Sequence, residues 1–256
     1  MILCGGKGTR LSEETAARPK PMVTVGGHPI LWHIMSGYAA QGFNRFTLAA
    51  GHMADHIKNF FLNYAALNSD FEVDLATGEV TPLRRTKPVD WKVRVVDTGS
   101  ESMTGGRLHR LESFLQGSGT FFFTYGDGVS DVDLKALLEF HRKHGKLCTI
   151  TAVKPAARFG GLEINDGRIE EFREKLPDDS GWINGGFMVM EPKIFDYLHG
   201  DATVLEQDPM RKLAKDGQLM AFQHEGFWQP MDTLRDRQHL EELWESGRAP
   251  WKTWRD

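Results

Sequence analysis

The sequence predicts an α/β protein with a Rossmann-like, mostly parallel sheet, helices on both faces and inserted irregular β segments. Apolar strand-like runs alternate with amphipathic helix-like runs, as in residues 46–51 and 56–62. Two of these runs end in glycine-rich turns, at Gly5 and at Gly126. Because 256 residues suffice for one sizeable core, we expect residues 1–256 to form one domain.

The individual elements follow from periodicity and from turn residues. A short acidic turn or helix start is predicted at residues 12–14, and a helix is predicted from residues 30–35 to an end near Gly37 or Gly42. Further helices are predicted at 56–62, 134–144, 208–215 and 234–244, and another helix is predicted to begin at 108. Strands are predicted at residues 1–4, 46–51, 93–96, 121–123, 147–153, 186–190 and 219–222, with a hairpin at 160–167.

Residues 71–95 carry short alternating apolar positions and are interpreted as an insertion. Its charge run 84–87 is more typical of a solvated surface than of a ligand site. Residues 234–256 form a final helix and a tail.

Composition excludes several classes of function. The net charge is −4 and the pI is about 6.2, so no basic field attracts nucleic acid. No apolar run approaches the ~20 residues of a membrane span, and no secretory signal is evident. Cys4 and Cys148 lie in apolar runs and are expected to be buried free thiols. These features predict a cytoplasmic protein.

The first loop combines flexible backbone with positive charge. Three of the residues Gly5–Gly8 are glycine, so free amides can approach phosphate oxygens. Arg10 adds a planar fork of donors and Lys20, between two prolines, adds a point charge. The spacing matches neither a Walker loop nor a dinucleotide fingerprint. A plain glycine turn with incidental surface cations remains the alternative.

Two acidic positions are the main candidates for chemistry: Asp127 directly follows an apolar strand, and Asp232 lies in the motif Pro-Met-Asp-Thr at 230–233. Asp127 and Asp232 could form turns or bind a metal, and local sequence alone favours the turn. The pair Asp131 and Asp133 fits the Asp-x-Asp pattern of metal-dependent glycosyltransferases, but it opens a helix and is better interpreted as a cap. His141 lies on the apolar stripe of that helix, which favours a structural role over a catalytic base.

The motifs together resemble those of the sugar-phosphate nucleotidylyltransferases. Gly-Gly-x-Gly-Thr-Arg-Leu at 5–11 and Pro-Lys-Pro-Met at 19–22 carry the general signature. Six further segments resemble the glucose-1-phosphate cytidylyltransferases within this family: 96–99, 102–107, 124–128, 184–187, 226–236 and 249–254. The family usually has a few more residues before the equivalent of Ile2, so the first strand is short here and the natural N-terminus is expected to extend further.

The resemblance implies a fold of the nucleotide-diphospho-sugar transferase type and a reaction. Cytidylyl transfer from CTP to α-D-glucose 1-phosphate would give CDP-glucose, a precursor for surface polysaccharides such as O-antigen, and pyrophosphate. The sugar phosphate would attack the α-phosphorus in line, and because it is already ionised it needs no general base. Catalytic roles are implied for Arg10, Lys20 and Asp127, and a Mg²⁺ site for Asp127 and Asp232.

The remaining implied contacts divide between nucleotide and sugar phosphate. Nucleotide contacts are implied for Leu3, Cys4, Gly5, Gly6, Lys7, Gly8, Thr9, Arg10, Lys20, Ser102, Thr104, Arg107 and Gly126. Sugar-phosphate contacts are implied for Glu163, Lys175, Asn184 and Gly185. Arg107 could donate to O2 and N3 of cytosine.

Other readings stay open at this point. They are a uridylyl- or thymidylyltransferase on the same fold, a sugar-nucleotide glycosyltransferase, and a non-catalytic nucleotide-sugar binder. The family implies a homo-oligomer, to which the insertion or the tail residues Trp251 and Trp254 could contribute.

Overall fold

A computed structural model describes residues 1–8, 11–83, 89–155, 160–165, 168–174 and 181–254. Its described strands are β1 (Ile2–Leu3), β2 (Thr24–Val25), β3 (His28–Pro29), β4 (Arg45–Ala50), β5 (Phe71–Val73), β6 (Val80–Pro82), β7 (Lys92–Asp97), β8 (Phe121–Tyr125), β9 (Gly128–Ser130), β10 (Cys148–Val153), β11 (Gly160–Asn165), β12 (Arg168–Glu174), β13 (Ile183–Met190), β14 (Leu219–His224) and β15 (Trp228–Pro230). Its described helices are α1 (Ser12–Thr15), α2 (Ile30–Ala40), α3 (Ala54–Leu62), α4 (Tyr64–Leu67), α5 (Thr104–His109), α6 (Glu112–Leu115), α7 (Leu134–His144), α8 (Asp208–Lys215) and α9 (Leu234–Glu245), with 3₁₀ turns at Lys20–Met22, Gln116–Ser118 and Pro192–Tyr197.

The central sheet has seven strands in the order β14-β10-β13-β8-β1-β4-β7. All the pairings are parallel except those of β13, which runs antiparallel to β8 and β10. The predicted mostly parallel sheet is therefore confirmed. The first strand, β1, lies in the middle of the sheet, with β4 on one side and β8 on the other.

Helices cover both faces of the sheet, as predicted. Side chains alternate along β1, so Ile2 and Cys4 enter one apolar core, whereas Met1 and Leu3 enter the other. Helices α2, α3, α7 and α9 contribute to the first core, and α5, α6 and α8 to the second. Both cysteines are buried and free, and burial raises the pKa of the Cys148 thiol to about 12.

One predicted boundary was wrong. The helix was predicted to begin at 108, after the glycine-rich residues 104–107, but these residues form most of α5. The reason is packing: a Cβ on Gly106 would lie 2.3 Å from the Asp201 carbonyl oxygen, and one on Gly105 would lie 2.7 Å from the Thr203 methyl. Two adjacent glycines therefore let the segment 201–206 cross directly over this helix, although glycine disfavours helices in isolation.

Three other predictions can be checked at the edges of the molecule. Residues 71–82 contain the hairpin β5–β6, but Lys92 begins β7, which pairs with β4 and so belongs to the sheet. Trp251 does not face outward: it is 1% exposed and stacks on Phe227 within its own chain. Strand β1 is short, as predicted, and both β4 and β8 extend past its amino end. The charge run at 84–87 lies outside the described residues.

Candidate active site

The largest concentration of sequence-predicted site residues lies where the strand order reverses. Strands β1 and β8 are neighbours, and ligands of open α/β sheets bind beyond the carboxyl ends of such a strand pair. A cavity of ≈ 490 Å³ opens at this position. It is lined by Leu3, Cys4, Gly5, Gly6, Lys7, Gly8, Lys20, Ser102, Thr104, Arg107, Gly126, Asp127 and Asp232, and also by Pro21, Ser100, Glu101, Met103 and Tyr125.

Two glycines bring backbone close to backbone in the cavity wall. A Cβ on Gly126 would lie 2.6 Å from the Leu3 carbonyl oxygen, so a larger residue would push the two strand ends apart. Gly8 has a φ of +63°, which a residue with a Cβ rarely adopts. These constraints explain why the loop needs glycine, whatever it binds.

Asp127 and Asp232 are far apart in sequence, but a small antiparallel ladder brings them to one place. Strand β9 begins directly after Asp127, and β15 ends two residues before Asp232. The two strands pair with Gly128 opposite Pro230, and the Met231 amide donates to the Asp127 carbonyl oxygen at 2.8 Å. The end of this ladder thus holds both carboxylates beside the cavity.

Lys20 joins the two carboxylates. Its Nζ lies 2.8 Å from Asp127 Oδ2 and 2.6 Å from Asp232 Oδ1. Burial lowers the pKa of Lys20, but the charges and hydrogen bonds of Asp127 and Asp232 outweigh burial, so its pKa lies above the usual value. The ammonium therefore stays charged at neutral pH and offsets the repulsion between the two acidic groups.

Asp232 is itself held by the start of α9. The Asp236 carboxylate accepts hydrogen bonds from the Asp232 amide at 3.1 Å and from the Thr233 amide at 2.9 Å. The Thr233 hydroxyl accepts the Asp236 amide in return, which completes a capping box. The turn that carries Asp232 is therefore fixed before any ligand binds.

Arg107 forms part of the cavity wall. Its side chain is 4% exposed, and its Nη1 donates to the Gly99 carbonyl oxygen at 2.6 Å and to the Thr98 hydroxyl at 3.0 Å. Burial lowers the pKa of Arg107. A Cβ on Gly5 would lie 2.2 Å from Nη1, so the guanidinium lies directly against the glycine-rich loop. Arg107 thus ties the 98–100 loop to the first loop and keeps a positive charge in the wall.

At the mouth of the cavity an exposed pair links the same two loops. Lys7 Nζ lies 2.9 Å from Glu101 Oε2, with both side chains largely exposed. The interaction with Lys7 lowers the pKa of the Glu101 carboxyl. Exposed pairs of this kind contribute little to stability, so this bridge is a reversible link across the entrance.

The predicted sugar side adjoins this cavity. Asn184 and Gly185 line a second cavity of ≈ 60 Å³ together with Asp127 and Trp228. The Asn184 side chain accepts the Gly186 amide at 2.8 Å, and Trp228 donates to the Gly185 carbonyl oxygen at 2.7 Å. Tyr125 and Asp127 line both cavities, so the two cavities are adjacent.

Some predicted site residues cannot be placed. Thr9, Arg10 and Lys175 lie outside the described residues, and only the backbone of Glu163, in β11, is described. Conversely, sequence reasoning missed Tyr125 and Glu101. Tyr125 could have been found, because it is the last residue of a strand that runs directly into Gly126-Asp127. Glu101 carries no comparable signal.

Other candidate groups have structural roles. Asp133 caps α7 by accepting the Ala136 amide at 2.9 Å, as predicted. Asp131 instead lies 3.0 Å from His224 Nε2. His141 is buried between Thr149 and Glu191, away from the cavity, in agreement with the structural interpretation. Within the described residues, no group of three or more metal-binding side chains converges, and no helix is long and apolar enough to cross a membrane.

Comparison with known proteins places these features in a family. The nucleotidyl transferase family model matches residues 1–245, and the chain belongs to this family. It is 51% identical over 255 residues to the glucose-1-phosphate cytidylyltransferase of Salmonella typhimurium, covering 99% of this chain and 98% of that protein. It is 42% identical to a probable glucose-1-phosphate cytidylyltransferase of Bacillus subtilis, covering 99% of each. The resemblance predicted from the motifs is therefore confirmed.

A solved structure supports the fold. HddC from Yersinia pseudotuberculosis superimposes with a TM-score of 0.70 over 95% of this chain and 97% of that one, at 24% identity. This likeness establishes the architecture, including the mostly parallel sheet.

Proposed function

We propose that this protein transfers the cytidylyl group of CTP to α-D-glucose 1-phosphate, giving CDP-glucose and pyrophosphate. Full-length identity of 51% to a cytidylyltransferase supports both substrates, because differences in substrate choice within the family accompany much greater divergence: mannose-1-phosphate guanyltransferases are about 30% identical. The observation that carries the proposal is the convergence of Lys20, Asp127 and Asp232 beside the glycine-rich loop.

The chemistry follows from charge. Both the sugar phosphate and the triphosphate are anionic, so the protein must offset their repulsion and align them. The amides of Gly5–Gly8 would donate to phosphate oxygens, and Lys20 packs beside this loop, with its Cβ 3.3 Å from the position of a Cβ on Gly8. Arg10 and Lys175 are proposed to bind the triphosphate and the sugar phosphate, respectively.

The acidic pair is proposed to hold Mg²⁺. Its donor set fits this ion, because two carboxylate oxygens already converge on one cation, the Lys20 ammonium. Mg²⁺ needs few protein ligands when phosphate oxygens and water complete its shell. When bound, the ion would supply positive charge next to the reacting phosphates.

The sides of the cavity suit the two halves of the product. Ser102, Thr104 and Arg107 line the larger cavity and are proposed to face the cytidine. Asn184 and Gly185 lie in the adjoining small cavity and, with Glu163, are proposed to face the glucose hydroxyls. In this proposal Asp127, which lines both cavities, marks the place where the two substrates meet.

We also propose that the protein is a cytoplasmic homo-oligomer. Edge strand β7 and the adjacent helices leave an apolar surface, on which Leu62 is 81% and Leu67 65% exposed. The hairpin β5–β6 adds Phe71 and Val80, which are also exposed. An apolar surface of this kind is typical of an interaction site. The apolar tail packs on its own chain and is not part of this surface.

The test is pyrophosphate release from purified protein supplied with Mg²⁺, glucose 1-phosphate and each nucleoside triphosphate in turn. We expect release with CTP, and CTP should win in competition with UTP and dTTP. A preference for UTP or dTTP would identify another nucleotidylyltransferase. Release of a nucleoside diphosphate from CDP-glucose with an acceptor sugar, without pyrophosphate, would instead indicate a glycosyltransferase.

A further inference from the structure

Glu206 is a carboxylate that the proposed reaction does not use, although it contacts two residues of the cavity wall. It lies between Leu205, which is buried, and the start of α8. Its Oε2 accepts a hydrogen bond from the Thr104 hydroxyl at 2.6 Å, and its Oε1 accepts one from the Tyr125 hydroxyl. Both donors line the cavity, whereas Glu206 does not.

The Tyr125 ring is fixed from two sides. Its hydroxyl is held by Glu206, and its ring edge packs against Gly186, where a Cβ would lie only 2.6 Å from Tyr125 Cδ2. Gly186 also has a φ of +82°, so space and conformation both require glycine.

The Thr104 hydroxyl is also held by two hydrogen bonds. It donates to Glu206 and accepts the Leu205 amide at 2.9 Å, which fixes the first residue of α5. Thr104 lines the larger cavity, on the proposed cytidine side, whereas Tyr125 lines both cavities. One carboxylate therefore holds a side chain of the larger cavity and a side chain that both cavities share.

We propose that Glu206 is a positioning residue that fixes the partition between the nucleotide and sugar-phosphate compartments by holding Tyr125 and Thr104. This inference rests on the proposed function, and it adds a residue that lines neither cavity. If the hydrogen bond to Glu206 is lost, the Tyr125 ring can rotate away from Gly186 and the small cavity loses one wall. Binding of the sugar phosphate should weaken more than the chemical step slows.

The molecule offers a matched control for this idea. Asp201 anchors the same segment to the end of α5 through Arg110, whose Nε donates to Asp201 Oδ1 at 2.6 Å, but neither residue of this pair lines either cavity. If Glu206 only fastened the segment to the helix, replacing Asp201 should have the same effect on the enzyme as replacing Glu206.

The experiment measures KM and kcat for both substrates, and calorimetric binding of glucose 1-phosphate, in Glu206→Ala, Tyr125→Phe and Asp201→Ala. The hydrogen bond between Tyr125 and Glu206 is absent in both of the first two variants, and its loss predicts a rise of about five- to tenfold in KM and Kd for glucose 1-phosphate, with kcat within about threefold of the wild type. The double variant Glu206→Ala/Tyr125→Phe should bind glucose 1-phosphate no worse than Glu206→Ala, since Glu206→Ala already removes the hydrogen bond to Tyr125 together with the one to Thr104. Glu206→Gln, which can still accept a hydrogen bond, should recover part of the loss.

Two results would overturn the proposal. One is an unchanged sugar-phosphate affinity in Tyr125→Phe, and the other is an equal loss in Asp201→Ala and Glu206→Ala. Both leave the proposed function intact if the wild type releases pyrophosphate from CTP. A wild type that binds glucose 1-phosphate but produces no pyrophosphate would refute the reaction, while the binding titrations would still test the role of Glu206.

Discussion

The chain contains two pairs of aspartates that look like metal ligands, and the structure uses them in opposite ways. Asp131 and Asp133 are two residues apart, but they diverge: one approaches His224 and the other caps α7. Asp127 and Asp232 are separated by more than a hundred residues, but they converge on one ammonium. Whether two carboxylates form one site therefore depends on where the fold places their side chains, and closeness in sequence does not predict it.

The largest expected effect comes from removing a converging carboxylate. Asp127→Asn or Asp232→Asn should lower kcat by about 100-fold or more, because an electrostatic contribution of this kind supplies a large share of the rate. Asp133→Asn makes the same chemical change in the diverging pair and should leave kcat within about twofold, since Asn caps helices as well as Asp does. Pyrophosphate release measures both, with circular dichroism as the control for folding. Equal losses in all three variants would show that the two pairs are not functionally distinct.

The next largest loss of activity is expected when Lys20 is replaced. Lys20→Met removes the cation on which the two carboxylates converge, and we expect kcat to fall by about 30- to 100-fold, comparable to the loss of a single charged stabilising group. Lys7→Met is the matched control, because Lys7 also lines the cavity but pairs only with an exposed carboxylate. It should change kcat by less than about fivefold. If Lys7→Met were the more damaging variant, the cation at the entrance, and not the one between the carboxylates, would carry the function.

Lys20→Met also tests how the stability conferred by Lys20 depends on pH. The pKa of Lys20 is raised in the folded protein, so the folded state binds this proton more tightly than the unfolded chain. Its stabilisation is fully present below the unfolded pKa of about 10.4 and is lost as the pH rises through the folded value. The difference in unfolding free energy between wild type and Lys20→Met should be constant from about pH 7 to 9 and shrink above about pH 10.5. Urea titrations across this range measure it, and a difference that shrinks already near pH 7 would contradict the raised pKa.

The smallest expected effect is a difference in activity between variants of two helix-capping residues, Thr233 and Asp133. Thr233→Ala and Asp133→Ala each remove a side-chain cap and should each lower stability by about 1 kcal/mol. Only Thr233 belongs to the turn that holds Asp232, so only Thr233→Ala should also reduce kcat, by about two- to fivefold. Thermal unfolding and pyrophosphate release on the same samples provide the two readings. Equal activity in both variants would mean that Asp232 keeps its position without this cap.

Local features made much of the fold predictable. The helix 134–144 was predicted from apolar spacing and a terminal glycine, and Gly145 has the φ of +64° that such an end requires. Helix α8 was predicted with its observed bounds. The helix over residues 104–107 was not predictable in this way, because what makes it helical is the segment 201–206 packed upon its glycines.

The sequence by itself determined the class of fold, the glycine-rich character of the first loop and the identity of the charged groups, because apolar periodicity, glycine and charge are properties of short segments. Only the tertiary structure decided which charges meet. Lys20 reaches Asp127 across 107 residues and Asp232 across 212, and no local pattern encodes those distances. Tyr125 and Glu206 likewise meet only because α5 and the segment 201–206 pack beside the end of β8. The physical reason is that strand order and long-range register place side chains, and both result from burying two apolar cores around one sheet, not from the residues beside each aspartate.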